Sequence, residues 1–241
     1  MDRPRRGIVV LSRIRTVERT GSTNADLLAD GSAVEGDWLV ALAQDNGRGR
    51  QGRSWESLTG NFFGSTLVTL RDGDPSAASL SLAAGVALIR AVEASAPATG
   101  LMLKWPNDLL MGTAKLAGIL LERNGNRLVA GFGVNLARAP ELANRQATAL
   151  ASVALVSPQS FAPVLAGSFA RALDMWRTDS QRLTTAWMES AHPPGTLLKA
   201  HASADEIIEG AFDGLEPDGG MRLRLADGTA RVIHAGDVLL A

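Results

Sequence analysis

Three glycines and three arginines share seven positions, GRGRQGR from Gly47 to Arg53, with an apolar stretch on either side. Asp37 to Gln44 reads as a strand entering the loop, and Asn61 to Leu70, rich in Phe, Thr, Val and Leu, as a strand leaving it. The spacing matches the dinucleotide fingerprint G-x-G-x-x-G, which must end a strand and open a helix so that a pyrophosphate meets the helix N-terminus. Here Gly60-Asn61 interrupts any helix within a turn or two, and a strand follows. A kinase glycine loop suits strand-loop-strand better, yet no H-R-D or D-F-G triplet comes later. Arginine-glycine segments that bind RNA are longer, repeated and disordered. Two readings remain for the loop taken alone. Either its glycines let the backbone curl around an anion that Arg48, Arg50 and Arg53 neutralise, or it is a surface loop with solvated arginines.

Any anion site must be local, because 24 basic and 25 acidic residues leave a net charge of -1. The 241 residues, 46% hydrophobic, suffice for one large domain or a domain with an appendage. The lack of cysteine excludes disulfides, thiolate nucleophiles and cysteine-held metal, and fits a reducing compartment. At the start, Ile8 to Leu11 is too short for a signal-peptide core. The longest charge-free run, Gln146 to Ala170, is broken by Pro158 and Pro163 and does not read as a membrane span. A cytoplasmic protein without membrane or DNA partners is the expectation.

Ile8 to Leu11 reads as a short strand, and Thr23 with Asp26 fits a capping pattern before the helix ADLLAD. Residues 75–95 carry Leu80, Ala83, Ala84, Ala87 and Ala91 at helical spacing. Leu101 to Lys104, Leu116 to Glu122 and Leu128 to Asn135 read as strands, the last two joined at Asn124-Gly125-Asn126. Residues 157–190 form an apolar helical stripe through Phe161, Leu165, Phe169, Leu173, Trp176 and Leu183, with Pro163 in its first turn. After His192-Pro193-Pro194-Gly195 the pattern becomes short strands, with a hairpin at Leu223 to Ile233. The expected fold is α+β: a mixed sheet flanked by helices over residues 1–190, and a small β-barrel over 191–241.

Further motifs bear on chemistry. LKWPNDLL sets Lys104, Trp105, Asn107 and Asp108 around Pro106. Asn107-Asp108 reads as a simple turn, or as an amide for phosphate or ribose beside a carboxylate for Mg2+. KLAGILLE places Lys115 at the head of an otherwise apolar strand, either snorkelling or meeting charge on a reacting phosphoryl group. Ser22 and Thr23 serve equally as a helix cap. Trp176 and Trp187 read as core, and His192, His201 and His234 as structural or surface residues.

GSTN at Gly21, GRGRQGRSW at Gly47, KWPND at Lys104, KLAGIL at Lys115 and GVN at Gly133 together resemble the biotin protein ligase family, in order and spacing. EGAFDGL at Glu209 and HAGDVLL at His234 are similar to that family's SH3-like barrel. The resemblance implies a class II synthetase-like catalytic domain and a ligase using ATP and Mg2+ to make biotinyl-5'-AMP. It implies transfer of biotin to a lysine of a biotin carboxyl carrier domain, such as that of acetyl-CoA carboxylase, by a monomer or homodimer. It also implies roles: Ser22, Thr23, Asn24, Gln44, Gly47, Arg48, Arg50, Lys115 and Gly118 around biotin; Arg50, Arg53, Trp55, Asn107 and Asn135 at the nucleotide; Asp108 at the metal; Lys115, Arg50 and Arg48 in catalysis. Asn46 stands where the family often has alanine, and Gly21 where aspartate is common. Ser22 comes too early for the DNA-binding helix-turn-helix that some members carry. The rivals are a lipoate ligase or octanoyl transferase, an inactive biotin-binding regulator, and an RNA-binding module.

Overall fold

The computed structural model describes residues 13–142, 146–201, 206–234 and 236–240. The strand read at Ile8 to Leu11 lies outside them. The described chain begins instead with β1 (Ile14–Thr20), whose charged residues mark it as an edge rather than a core strand. It crosses through the short helix α1 (Thr23–Ala29) to a parallel neighbour, β2 (Trp38–Gln44). The cap of α1 is Ser22, one residue earlier than the pattern suggested: its hydroxyl accepts from the Ala25 N–H.

β3 (Phe62–Thr69), β4 (Leu101–Lys104), β5 (Asp108–Met111), β6 (Ala114–Asn124) and β7 (Arg127–Val134) add antiparallel, in the order β1-β2-β3-β7-β6-β5-β4. β5 escaped the sequence reading because Asn107-Asp108 looks like a turn; the turn is residues 105–107, and Asp108 already pairs with Lys104. α2 (Leu80–Ser95) and α3 (Pro158–Thr178) pack on each other over one face of this sheet. Ala77–Ser95 is apolar and long enough to cross a membrane, but here it is a mostly buried core helix. Trp38 of β2, Phe132 of β7 and Phe169 of α3 form an aromatic knot between the sheet and α3, with centroids 5.6 to 5.9 Å apart.

The expected helix over 157–190 is two helices. Asp179, at φ -153°, ends α3, and its carboxylate caps α4 (Ser180–Glu189) by accepting from the Arg182 N–H at 3.0 Å. Pro158 is the first-turn proline, and Pro163 lies inside α3. Trp176 and Trp187 are buried in the core.

After α4 the chain runs along β4, where Leu103 donates to the Ser190 carbonyl, and enters a second sheet. β8 (Leu197–His201), β9 (Ile207–Leu215), β10 (Met221–Arg224), β11 (Ala230–Ile233) and β12 (Asp237–Leu240) pair antiparallel in the order β11-β10-β9-β8-β12. β10 and β11 are the expected hairpin. The expected small barrel is a five-stranded antiparallel sheet, consistent with an SH3-like domain but not closed, since its edges β11 and β12 do not pair in that order. Its inner side joins the main core through Leu198, Phe212, Met221 and Leu223. His192 is buried at this seam, where burial first, then the charge of Lys104, hold its imidazole below the usual range.

One polar cluster fastens the helical layer to the sheet. Arg177, near the end of α3, donates to both carboxylate oxygens of Glu35 at 2.8 Å, to Asp74 at 3.1 Å and to the Thr69 carbonyl at 3.0 Å. Burial alone would raise the Glu35 carboxyl; hydrogen bonds from Arg177 and the Thr69 N–H outweigh it and hold the group below its ordinary 4.5. A depressed carboxyl stabilises the fold above its unfolded value and loses that contribution as pH falls through the folded one. Stability should therefore drop below about pH 4.5 in urea titrations. Arg177→Met should cost about 2 kcal/mol at neutral pH and flatten that acid dependence; an unchanged acid limb would remove the cluster from the account.

Candidate active site

Opposite the helical layer, the face that carries α1 opens into a cleft. Its floor follows from β6 and β7. Gly118 and Gly133 face one another in register, so two adjacent strands present bare backbone. The Trp55 ring lies on them: a Cβ at Gly133 would fall 2.4 Å from that ring, and one at Gly118 would fall 2.9 Å from it.

Lys115 and Gly118 are three apart, which in a regular strand puts them on opposite faces. A register shift removes the conflict. Leu109 pairs with Ala117 but Leu110 with Lys115, so Leu116 is an extra residue on β6. The bulge turns Lys115 into the cleft, which both residues line. Lys115 is only 7% exposed. Its ammonium sits 2.5 Å from the Asp108 carboxylate and 5.2 Å from the centre of the Trp55 ring. Its backbone is held by residues 146–148, with the Lys115 N–H donating to Gln146 O and its carbonyl accepting from Thr148, each at 2.9 Å.

The glycine-arginine loop is a small hairpin. Trp55 N–H donates to Gly47 O at 2.9 Å, Arg48 bridges Ser54, and Gly49 N–H donates to Arg53 O at 2.7 Å. Only glycine fits at position 47, because a Cβ there would lie 2.7 Å from the Trp55 carbonyl. The tip, Arg50–Gly52, is one tight turn with Gln51 and Gly52 left-handed at φ 57° and 73°. From it Arg50 reaches over the cleft, donating to Asn107 Oδ1 at 3.4 Å and to Gly236 O at 3.0 Å. Arg48 approaches Glu122 at 3.9 Å, and Arg53 donates to Gln51 at 2.8 Å.

The cleft's other end is polar and neutral. Gln44 Oε1 accepts from the Thr23 N–H at 2.8 Å, while the Thr23 hydroxyl lies 3.0 Å from the same oxygen and 2.7 Å from Ser65. Ser65 donates to Asn24 Oδ1 at 2.6 Å, and Asn24 Nδ2 to Leu120 O at 3.3 Å. Gly131 gives Asn24 room, since a Cβ there would fall 2.1 Å from its oxygen.

Ser22, Thr23, Asn24, Gln44, Arg48, Arg50, Arg53, Trp55, Asn107, Asp108, Lys115 and Gly118 all line this cleft, as do Ser54 and Gly131. Two sequence candidates stand back from it. Gly47 is a hinge of the hairpin. Asn135, 3% exposed, donates to the carbonyls of Lys115 at 3.5 Å and Thr148 at 3.1 Å, and so supports Lys115 from behind. Asn107 is pinned to β6, its side chain donating to Ile119 O at 2.7 Å, so its oxygen is the group left facing Arg50. Ser65 and Gly131 were missed. A hydroxyl inside the apolar run FFGSTLVT needs a partner, and glycines two apart in GFGVN bare one face of a strand; both signals stand in the sequence.

Residues 16–137 match the model of the biotin/lipoate A/B protein ligase family. The chain belongs to that family. Among the ligases it resembles is the biotin–[acetyl-CoA-carboxylase] ligase of Paracoccus denitrificans, 36% identical over 91% of this chain and 97% of that protein. The Mycobacterium tuberculosis enzyme of the same name is 32% identical over 94% of this chain and 88% of its own length. The biotin protein ligase of Aquifex aeolicus in complex with biotin and ATP shares the fold, with TM-score 0.84, 23% identity, and 95% and 99% of the two chains covered. The family match spans both ends of the cleft, from the Ser22–Asn24 cap to the β7 floor.

Gly133→Ala should leave the sheet paired while displacing the Trp55 ring from the floor. A crystal structure of the variant with Trp55 still in place would remove the role given to this glycine.

Proposed function

We propose that the chain is a biotin-protein ligase that activates biotin with ATP and passes it to a lysine of a carrier protein. One observation carries the reading: a single cleft joins a neutral hydrogen-bonding end to a cationic end, with bare backbone and an indole between them. The neutral end, built by Ser22, Thr23, Asn24 and Gln44, suits a cyclic urea that both donates and accepts. The cationic end suits a carboxylate meeting a triphosphate. The relatives' names agree: the Paracoccus denitrificans and Mycobacterium tuberculosis proteins are both named biotin–[acetyl-CoA-carboxylase] ligase.

In the first half-reaction a biotin carboxylate oxygen attacks the α-phosphorus, a P–O bond forms, and pyrophosphate leaves with the electron pair of the bond that breaks. The two reactants repel, so the protein must hold both anions in line and stabilise charge on the phosphoryl oxygens. Lys115 stands between the two ends and is assigned that role. It is already desolvated and aimed by Asp108, so little reorganisation is needed. Arg50 and Arg48 close the mouth, Arg53 and Asn107 stand at the nucleotide side, and Trp55 offers its face to adenine. In the second half-reaction the amine of a biotin carboxyl carrier lysine attacks the acyl carbon and AMP leaves.

Mg2+ enters this proposal with the nucleotide. Among the described residues no cluster of three His, Cys, Asp or Glu could hold a metal by itself. The Asp108 carboxylate and the Asn107 amide oxygen at the cleft fit an ion that takes one or two protein oxygens and the rest from phosphates. Asp108, with Asn107 beside it, would hold the ion, which would supply charge neutralisation across the phosphates.

ATP-pyrophosphate exchange with Mg2+ and biotin, lipoate or no acid tests the first half-reaction without a carrier. Exchange with biotin alone is expected; exchange with lipoate alone would move the assignment to the lipoate branch of the family. Lys115→Ala should keep the fold and lose at least about tenfold in adenylation, as loss of a preorganised donor does. A near-normal rate would remove Lys115 from the mechanism. Arg50→Gly should shorten the time a biotinyl-adenylate stays bound, because the loop loses its contacts to Asn107 and Gly236. An unchanged half-life in a filter-retention assay would contradict that.

A further inference from the structure

Trp105 belongs to the KWPND motif but does not line the cleft. It is 4% exposed at the seam between the two sheets, against Trp187, Leu198, Phe212 and Met221. Its indole N–H donates to the carbonyl of Gly219 at 2.9 Å, across 114 positions of sequence. Gly219 lies in the turn between β9 and β10, which is locked from within: Gly219 donates to Glu216 O at 2.9 Å, and Glu216 to Gly220 O at 2.8 Å. The turn is also seated from outside. Gly219 has φ +89°, and a Cβ there would lie 3.1 Å from Ser79 Cα in the segment entering α2. It has no room to slide.

The same motif carries Asn107 and Asp108, the groups facing Arg50 and Lys115. Three residues span at most about 10 Å of chain, so an indole fixed at position 105 leaves little slack at position 108. A second contact from the C-terminal sheet, Gly236 O to Arg50, arrives at the same place.

We infer that Trp105 is a positioning residue for the nucleotide: through its bond to Gly219, the C-terminal sheet sets where Asn107 and Asp108 stand in the cleft. The inference rests on the ligase reading proposed above, in which these two residues meet the phosphates. The neutral end of the cleft, built on α1, β2 and β3, is independent of the bond. The device is therefore selective: loosening it should weaken ATP and spare biotin.

Trp105→Phe removes the donor and keeps an aromatic ring in the seam. In biotin-dependent ATP-pyrophosphate exchange it should raise the KM for ATP about fivefold, the effect of one lost hydrogen bond, with kcat within about twofold. Calorimetric titration with biotin alone should match the parent protein within about twofold. A variant that merely loses folded enzyme would lower kcat at unchanged KM, and that result would overturn the inference, as would equal weakening of ATP and biotin. Gly219→Ala disturbs the same contact from its other side and should shift the KM for ATP in the same direction; it also provides the reading if Trp105→Phe does not fold. Direct titration with ATP and Mg2+ separates the two claims. A parent protein that binds ATP but shows no biotin-dependent exchange would sink the ligase reading, while the ATP affinity of each variant still decides the role of Trp105.

Discussion

A lysine in the core of a sheet needs a partner and a way to reach it. Lys115 has both because one extra residue, Leu116, interrupts the pairing of β5 with β6. Without that bulge the lysine would point into the helical layer beneath the sheet, among Leu and Phe side chains, where a charge is costly to desolvate. With it, the ammonium emerges beside Asp108 and Trp55, over a floor kept open by Gly118 and Gly133. Much of the nearby structure serves this placement. Residues 146–148 and Asn135 hold the Lys115 backbone, and the turn at 105–107 delivers the carboxylate.

The cleft is thus built by subtraction as much as by addition. Gly47, Gly118, Gly131 and Gly133 are positions where a methyl group would collide with Trp55 or Asn24. Each gives up the packing that a larger side chain would bring, and bare backbone with the Trp55 indole on it separates the two ends of the cleft. The charged end comes from the hairpin, β5 and β6, and the neutral end from α1, β2 and β3. The site therefore forms only when strands distant in sequence have paired.

Motifs whose spacing survives in linear form were legible beforehand. Gln44, the arginine loop, Asn107, Asp108 and Lys115 could be named from the chain, as could the main sheet, α2 and the C-terminal hairpin. What escaped depends on pairing. β1 hides among charges because an edge strand has few apolar positions. The break at Asp179 leaves the helical stripe unbroken in sequence and shows only in one residue's backbone angles. Asn135 looks like a ligand contact beside the glycines of β7, yet its amide is used on two carbonyls behind Lys115. The parity inversion at Leu116 could not be read at all, since a bulge is a relation between two strands.

The bond from Arg50 to the Gly236 carbonyl spans 186 positions. The residues that line the cleft run from Ser22 to Gly133, far upstream of this carbonyl. A chain cut before Gly236 would keep every residue that lines the cleft and lose one clasp on the arginine loop. The arginine loop is thus clasped from a segment that contributes no lining residue to the cleft, so the loop's position and the cleft's chemistry are set by different parts of the chain.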